Sequence, residues 1–153
     1  MPRENGGGLA PVRKAVRVKA SVEAAFRLFT AGINDWWPLA SHSVCEKDAA
    51  SCAVEGRVGG RFIERARDGK EHVWGTVTAW EPPVRLAFTW HPGRAAEGAQ
   101  SVEVRFSDAG GGLTLVELTH TGWEKLGDKA ATARESYERG WDFVVGECFA
   151  KAA

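Results

Sequence analysis

The chain has no surplus of either charge. Its 153 residues carry 20 Lys and Arg against 20 Asp and Glu, and no segment concentrates the basic ones. An electrostatic footprint for nucleic acid is therefore missing. No apolar run is long enough to cross a bilayer, so no membrane span is expected. The opening residues 1–11, MPRENGGGLAP, lack the apolar centre of a secretory signal. They read as a short disordered lead-in, rich in Gly and polar residues. Cysteine is scarce and odd in number: Cys45, Cys52 and Cys148, with no CxxC pair. That argues against a disulfide framework and for reduced thiols in the cytoplasm. The clustered ligand spacing of a zinc site is missing too, and no cofactor is expected. HExxH, GxSxG and GK[ST] do not occur. Gly56-Arg57-Val58-Gly59-Gly60 is not a dinucleotide fingerprint and reads as a strand-entry turn. His42, His72 and His91 stand isolated and are expected on the surface or in loops. No catalytic nucleophile is assigned, because Cys45 and Cys52 have no base beside them.

What the chain does have is tryptophan, seven of them, and eighteen glycines. The length suits one domain, spanning residues 12–153. The richest stretch runs from Val58 to Trp90 and reads as three strands joined by two turns. Asp68-Gly69 is a hairpin signal, since both residues tolerate positive φ. Glu81-Pro82-Pro83 is the second break, because proline has no N–H for a ladder. Arg61–Ala66, Glu71–Trp80 and Arg85–Trp90 are the strands.

Upstream, Val12 to Val18 alternates weakly and forms a first strand. Ser21 then caps a helix whose Val22, Ala25, Phe26 and Phe29 recur at helical spacing. Gly32 ends it, and a second short helical turn carries Ile33, Trp36 and Trp37 before Pro38. Ser51–Val54 is a weak strand. Downstream, Gln100–Ser107 and Leu113–Thr121 alternate cleanly around the Gly110-Gly111-Gly112 turn. From about Asp128 to Ala150, the residues Ala130, Ala133, Tyr137, Trp141, Val144 and Cys148 recur at three and four, building one apolar stripe on a helix. Gly140 inside it costs roughly 1 kcal/mol relative to Ala and marks a kink or restart.

The residues GGRFIER, the Asp68-Gly69 turn, VWGTV, WEPPVRLAFTW and VELTHTGWE carry a resemblance. With Trp36-Trp37-Pro38 and Gly140-Trp141, they resemble the heat-shock-protein ATPase activator branch of the START-like (SRPBCC, birch-allergen-like) superfamily. The likeness runs from about Val12 to the C-terminus. It implies an α+β helix-grip fold: a curved antiparallel sheet of about six or seven strands wrapped around a long C-terminal helix, with two short helices after the first strand and a cavity between sheet and helix.

That cavity directs the choice of site residues. If Asp68 and Gly69 are the two turn residues, Glu64 faces Val73 and Phe62 faces Gly75. Phe62, Glu64, Val73, Gly75 and Val77 then share the more apolar, inward face, with Trp74 on the other; a bulge or a three-residue loop would flip this. Val116, Leu118 and His120 share a face of the last strand. Glu64 and His120 are thus a possible polar couple in an apolar cavity, as ligand handles or as an acid–base pair. Trp36, Trp37, Trp90, Tyr137 and Trp141 are expected to line or cap the cavity, with one indole of the Trp36-Trp37 pair pointing in and the other free to be exposed. The expected function is binding of a small hydrophobic or amphipathic molecule. Two rivals are a protein-interaction role on a chaperone ATPase, as the resemblance implies, and a cavity enzyme of cyclase or hydrolase type using Glu64 and His120.

Overall fold

A computed structural model describes residues 9–153; most of the sequence-expected lead-in, residues 1–8, lies outside the described residues. Strand β1 (Val12–Val18) leads into helix α1 (Val22–Phe29). The Ser21 hydroxyl caps that helix, accepting from the Ala24 N–H at 3.1 Å. Two 3₁₀ turns, Ile33–Asp35 and Glu46–Asp48, follow. Six strands come next: β2 (Ala49–Val54), β3 (Arg61–Ala66), β4 (Glu71–Glu81), β5 (Arg85–Trp90), β6 (Gln100–Gly110) and β7 (Leu113–Thr121). They form one seven-stranded antiparallel sheet in the order β1-β7-β6-β5-β4-β3-β2. After a 3₁₀ stretch at Trp123–Lys129, helix α2 (Ala130–Phe143) runs on through a π-helical segment, Val144–Phe149, to Ala150–Ala152. This is the α+β helix-grip fold.

Alternation along the strands decides which face meets the helix. Thr114, Val116, Leu118 and His120 of β7 are buried, as are Val102, Val104 and Phe106 of β6. Against them lie Trp141, Val144, Val145 and Phe149 of the C-terminal helix. At one end Phe29 of α1 meets Phe106 and Phe149 with ring centroids 5.9 and 5.3 Å apart, edge to face.

The β3–β4 hairpin differs from the two-residue turn expected. Gly69 does take a positive φ of 91°. However, Gly69 donates to the Ala66 carbonyl and Ala66 to the Lys70 carbonyl, so the loop holds Arg67, Asp68 and Gly69. Glu64 therefore faces His72, not Val73. A bulge at Trp74 then restores the expected pairing of Phe62 with Gly75. The extra residue turns Trp74 inward beside Glu64, where strict alternation from the turn put it outside.

The helix also departs from its sequence pattern. It passes through Gly140 without a break. The irregularity begins at Val144, where the wider π turn brings both Val144 and Val145 to the core and lets Phe149 close the stripe that Cys148 was expected to close.

Candidate functional site

Between the C-terminal helix and the concave face of the sheet lies a pocket of about 370 Å³. The connection from α1 to β2 gives it Trp37, Ser41, His42, Ser43 and Val44. Strand β4 supplies Trp74, and the end of β5 with its loop supplies Trp90, Pro92 and Gly93. Helix α2 and the start of the π segment supply Ser136, Tyr137, Gly140, Trp141 and Val144.

Four of these indoles touch. Trp37 lies 5.0 Å from Trp74, 6.0 Å from Trp90 and 6.1 Å from Trp141, centroid to centroid. Trp90 and Trp141 are 5.5 Å apart. Tyr137 stacks on Trp141 at 6.4 Å. The result is an apolar aromatic wall with a hydroxyl and imidazole rim at Ser41, His42, Ser43 and Ser136.

A single buried carboxylate holds one side of the wall. Glu64 is fully buried. It accepts from the Val44 N–H at 2.7 Å, the Cys45 N–H at 2.8 Å and the Trp74 indole N–H at 2.8 Å. Burial alone would raise its pKa. The donors at Cys45, Val44 and Trp74 outweigh burial and keep the carboxyl below its usual range. Glu64 thus ties the 43–45 segment and the Trp74 indole to strand β3. Within that segment Trp37 donates to the His42 carbonyl at 2.8 Å, curling the chain after Pro38.

A second polar chain supports the opposite wall. The Trp141 indole N–H donates to His120 Nδ1 at 3.0 Å, so the ring proton sits on Nε2. Nε2 lies 3.2 Å from Gln100 Oε1, to which it donates. Arg94 Nη2 reaches the same oxygen at 3.4 Å and the Tyr137 hydroxyl at 3.3 Å. Burial, with a smaller push from the Arg94 charge, lowers the His120 pKa to about 3. The imidazole is neutral at neutral pH and works as a fixed hydrogen-bond bridge.

Of the residues expected at the cavity, Trp37, Trp90, Tyr137 and Trp141 lie on the lining. Trp36, Phe62, Glu64 and His120 lie behind it. Trp36 donates to the Leu28 carbonyl at 2.9 Å and packs on Phe29 and Phe149. Phe62 sits against Phe88 at 4.2 Å. Neither indole of the Trp36-Trp37 pair is exposed, because each N–H finds a backbone carbonyl inside. Glu64 and His120 form no couple with each other, since each is engaged by different partners. The thiols near Glu64 are not activated. Burial, then the Glu64 charge, raises Cys45, and the same causes push Cys52 up to about 12.

Sequence reasoning missed Trp74, His42 and the serines of the rim. Trp74 was hidden by the bulge. His42 and its neighbours lie in an irregular connection with no periodicity to read. His91, expected in a loop or at the surface, is in its loop but buried, with Nδ1 3.0 Å from the Arg94 carbonyl.

A sheet gripping a C-terminal helix around an aromatic pocket defines the START-like class. The comparisons narrow it. Residues 19–146 match the model of the family "Activator of Hsp90 ATPase homolog 1-like protein", and the chain belongs to that family. Among solved structures, an anthrahydroquino-γ-pyrone synthase, Txn09, is 38% identical over 95% of this chain and 97% of its own, with a TM-score of 0.65. The self-sacrificing resistance protein CalC from Micromonospora echinospora is 25% identical over 97% and 95%, also at 0.65. An HSP90 activator from Plasmodium falciparum, 16% identical over 90% and 97% with a TM-score of 0.55, shares the fold. No curated protein matches the sequence. Among the described residues no helix is long and apolar enough to cross a membrane.

Proposed function

We propose that this chain binds a small, planar, mainly apolar aromatic molecule that carries hydrogen-bonding groups along one edge, and that it does so in the cytoplasm. The observation that carries the reading is the pocket itself: five aromatic side chains form its walls, and its rim is made of hydroxyls and one imidazole. Flat indole faces favour a flat ligand through stacking and apolar burial. The likeness to a synthase named for an anthrahydroquino-γ-pyrone supports the same chemical class. The three thiols, all free, fit a reducing compartment.

That likeness also favours a second reading, in which the pocket closes a ring on its ligand. In that case Glu64 and His120 act as supports, since both are spent on holding the walls.

The test is titration with a tricyclic aromatic such as anthraquinone, read by tryptophan fluorescence and calorimetry. Saturable quenching and a negative heat-capacity change are expected. A Cβ built at Gly140, on the lining, meets nothing within 4 Å. Gly140→Leu should therefore leave the protein folded and abolish the quenching. Saturable binding that Gly140→Leu leaves intact would place the ligand elsewhere, and no saturable binding across a panel of planar probes would end the reading.

A further inference from the structure

We propose that His42 is the proton acceptor of this pocket and that its natural ligand carries an acidic phenolic or enolic hydroxyl. The inference rests on the aromatic-ligand reading above and assigns the group that the ligand's polar edge meets.

The lining holds few groups that could meet a charge or take a proton. Among the described side chains on the lining, His42 supplies the one imidazole and Tyr137 the one phenol. No carboxylate, ammonium or guanidinium faces the space. Several polar groups behind the lining are engaged elsewhere. Glu64 of β3 is held by three donors. Arg94 of the β5–β6 loop points to Gln100 and the Tyr137 hydroxyl. His120 of β7 is bonded on both ring nitrogens. Cys45 carries a raised pKa and stays a thiol. A ligand with a permanent charge would find no counter-ion here, and burying it unpaired would be costly. A neutral ligand with a weakly acidic hydroxyl finds one base in His42, because the Tyr137 hydroxyl oxygen already accepts from Arg94.

His42 is held for that task. Its backbone carbonyl takes the Trp37 indole N–H. Its ring stacks on Phe143 with centroids 5.1 Å apart and planes 28° from parallel. Its Nδ1 lies 2.7 Å from Ser41 Oγ. The Ser41 hydroxyl has the Pro38 carbonyl at 3.5 Å as its own acceptor. In the tautomer that can take a proton at Nε2, His42 Nδ1–H donates to the Ser41 oxygen. This tautomer leaves the lone pair on Nε2, which has no protein partner among the described residues. Partial burial lowers the His42 pKa, so the ring is neutral and able to accept at neutral pH.

The step balances without a co-reactant. The ligand O–H bond breaks, an Nε2–H bond forms, and the electron pair stays on the ligand oxygen. The resulting phenolate or enolate faces an imidazolium, with the Ser136 hydroxyl also on the lining. Return of the proton reverses the step. An oxyanion made this way is also the nucleophile that closing an oxygen heterocycle would need.

The experiment uses 1,2-dihydroxyanthraquinone, whose visible band shifts on ionisation, and its dimethyl ether, which cannot ionise. Both are titrated into the full chain and into His42→Gln and His42→Phe, with folding checked by circular dichroism. Fluorescence quenching reads binding and the visible band reads ionisation. The wild type should bind the dihydroxy probe as its anion, with an apparent acidity at least about tenfold greater than in His42→Gln, as expected for a nearby cation. The dimethyl ether should bind all three proteins alike. His42→Phe keeps a stacking ring on Phe143 and should bind the dihydroxy probe in its neutral form. Selective loss of the dihydroxy probe from the variants would also support the proposal. Equal ionisation in wild type and variants, or equal loss of both probes, would overturn it while leaving the pocket reading intact. Failure of the dihydroxy probe alone to bind the wild type would overturn the proposal, and failure of both probes would overturn both readings.

Discussion

His120 supplies a stability prediction whose size follows from its surroundings. Its Nδ1 accepts the Trp141 indole N–H and its Nε2–H meets Gln100, in a fully buried site. A second proton would have to go on Nδ1, donor against donor, with no counter-charge. The folded-state pKa is about 3 against an ordinary 6.5. Because the folded value is depressed, the native state binds fewer protons than the unfolded chain throughout that window. The stability tied to neutral His120 is complete above pH 6.5, falls as the pH drops below it, and levels off near the folded value. Linkage over this gap gives a loss of about 2 kcal/mol at pH 5 relative to pH 7.5. Urea denaturation followed by tryptophan fluorescence, at fixed ionic strength and several pH values, measures it. His120→Gln should be less stable at pH 7.5, yet lose about 2 kcal/mol less than the wild type on acidification to pH 5. His42, also shifted down by burial, is common to both proteins and cancels. Glu64 acts only lower, in the carboxylate range. Equal acid losses in wild type and variant would refute the bridge assigned to His120.

Three further substitutions test the frame. Glu64→Gln replaces an acceptor of three donors with a group that is itself half donor, and should cost at least about 2 kcal/mol in urea denaturation. It should also raise amide exchange at Val44 and Cys45, and the stability Glu64 lends should be present above the usual carboxylate range and vanish as the pH falls through the depressed folded value. Gly75→Ala would place a Cβ 1.7 Å from the Thr89 carbonyl oxygen, so it should strongly lower the denaturation midpoint; an unchanged midpoint would contradict the close β4–β5 approach. Gly69→Val puts a β-branched residue at φ 91° where space is open, and should cost on the order of 1–2 kcal/mol through backbone strain alone, as a melting curve would show.

The period-two alternation of Val12–Val18, Arg61–Ala66, Arg85–Trp90 and Leu113–Thr121 located four strands at their observed ends. Ser21 and the apolar spacing of Val22, Ala25, Phe26 and Phe29 located the first helix. These signals are local: a side chain's face follows from its own strand or helix period. The same holds for the inward placement of His120 and Trp141, and for the aromatic content that made a pocket expected.

Tertiary structure decided the rest. Whether Trp74 faces in depends on a three-residue loop and a bulge, and a one-residue shift moves a side chain to the other face. Glu64 was legible as an inward carboxylate, but its partners at Val44 and Cys45 lie 20 and 19 residues away in a stretch without period. His42 lies in that same irregular stretch, and only the fold sets it beside Phe143 and on the pocket rim. The sheet and its gripping helix could be read from the sequence because periodic burial repeats along the chain. The site could not, because its polar groups are brought together by contacts between distant, non-repeating segments, and such contacts leave no pattern in sequence order.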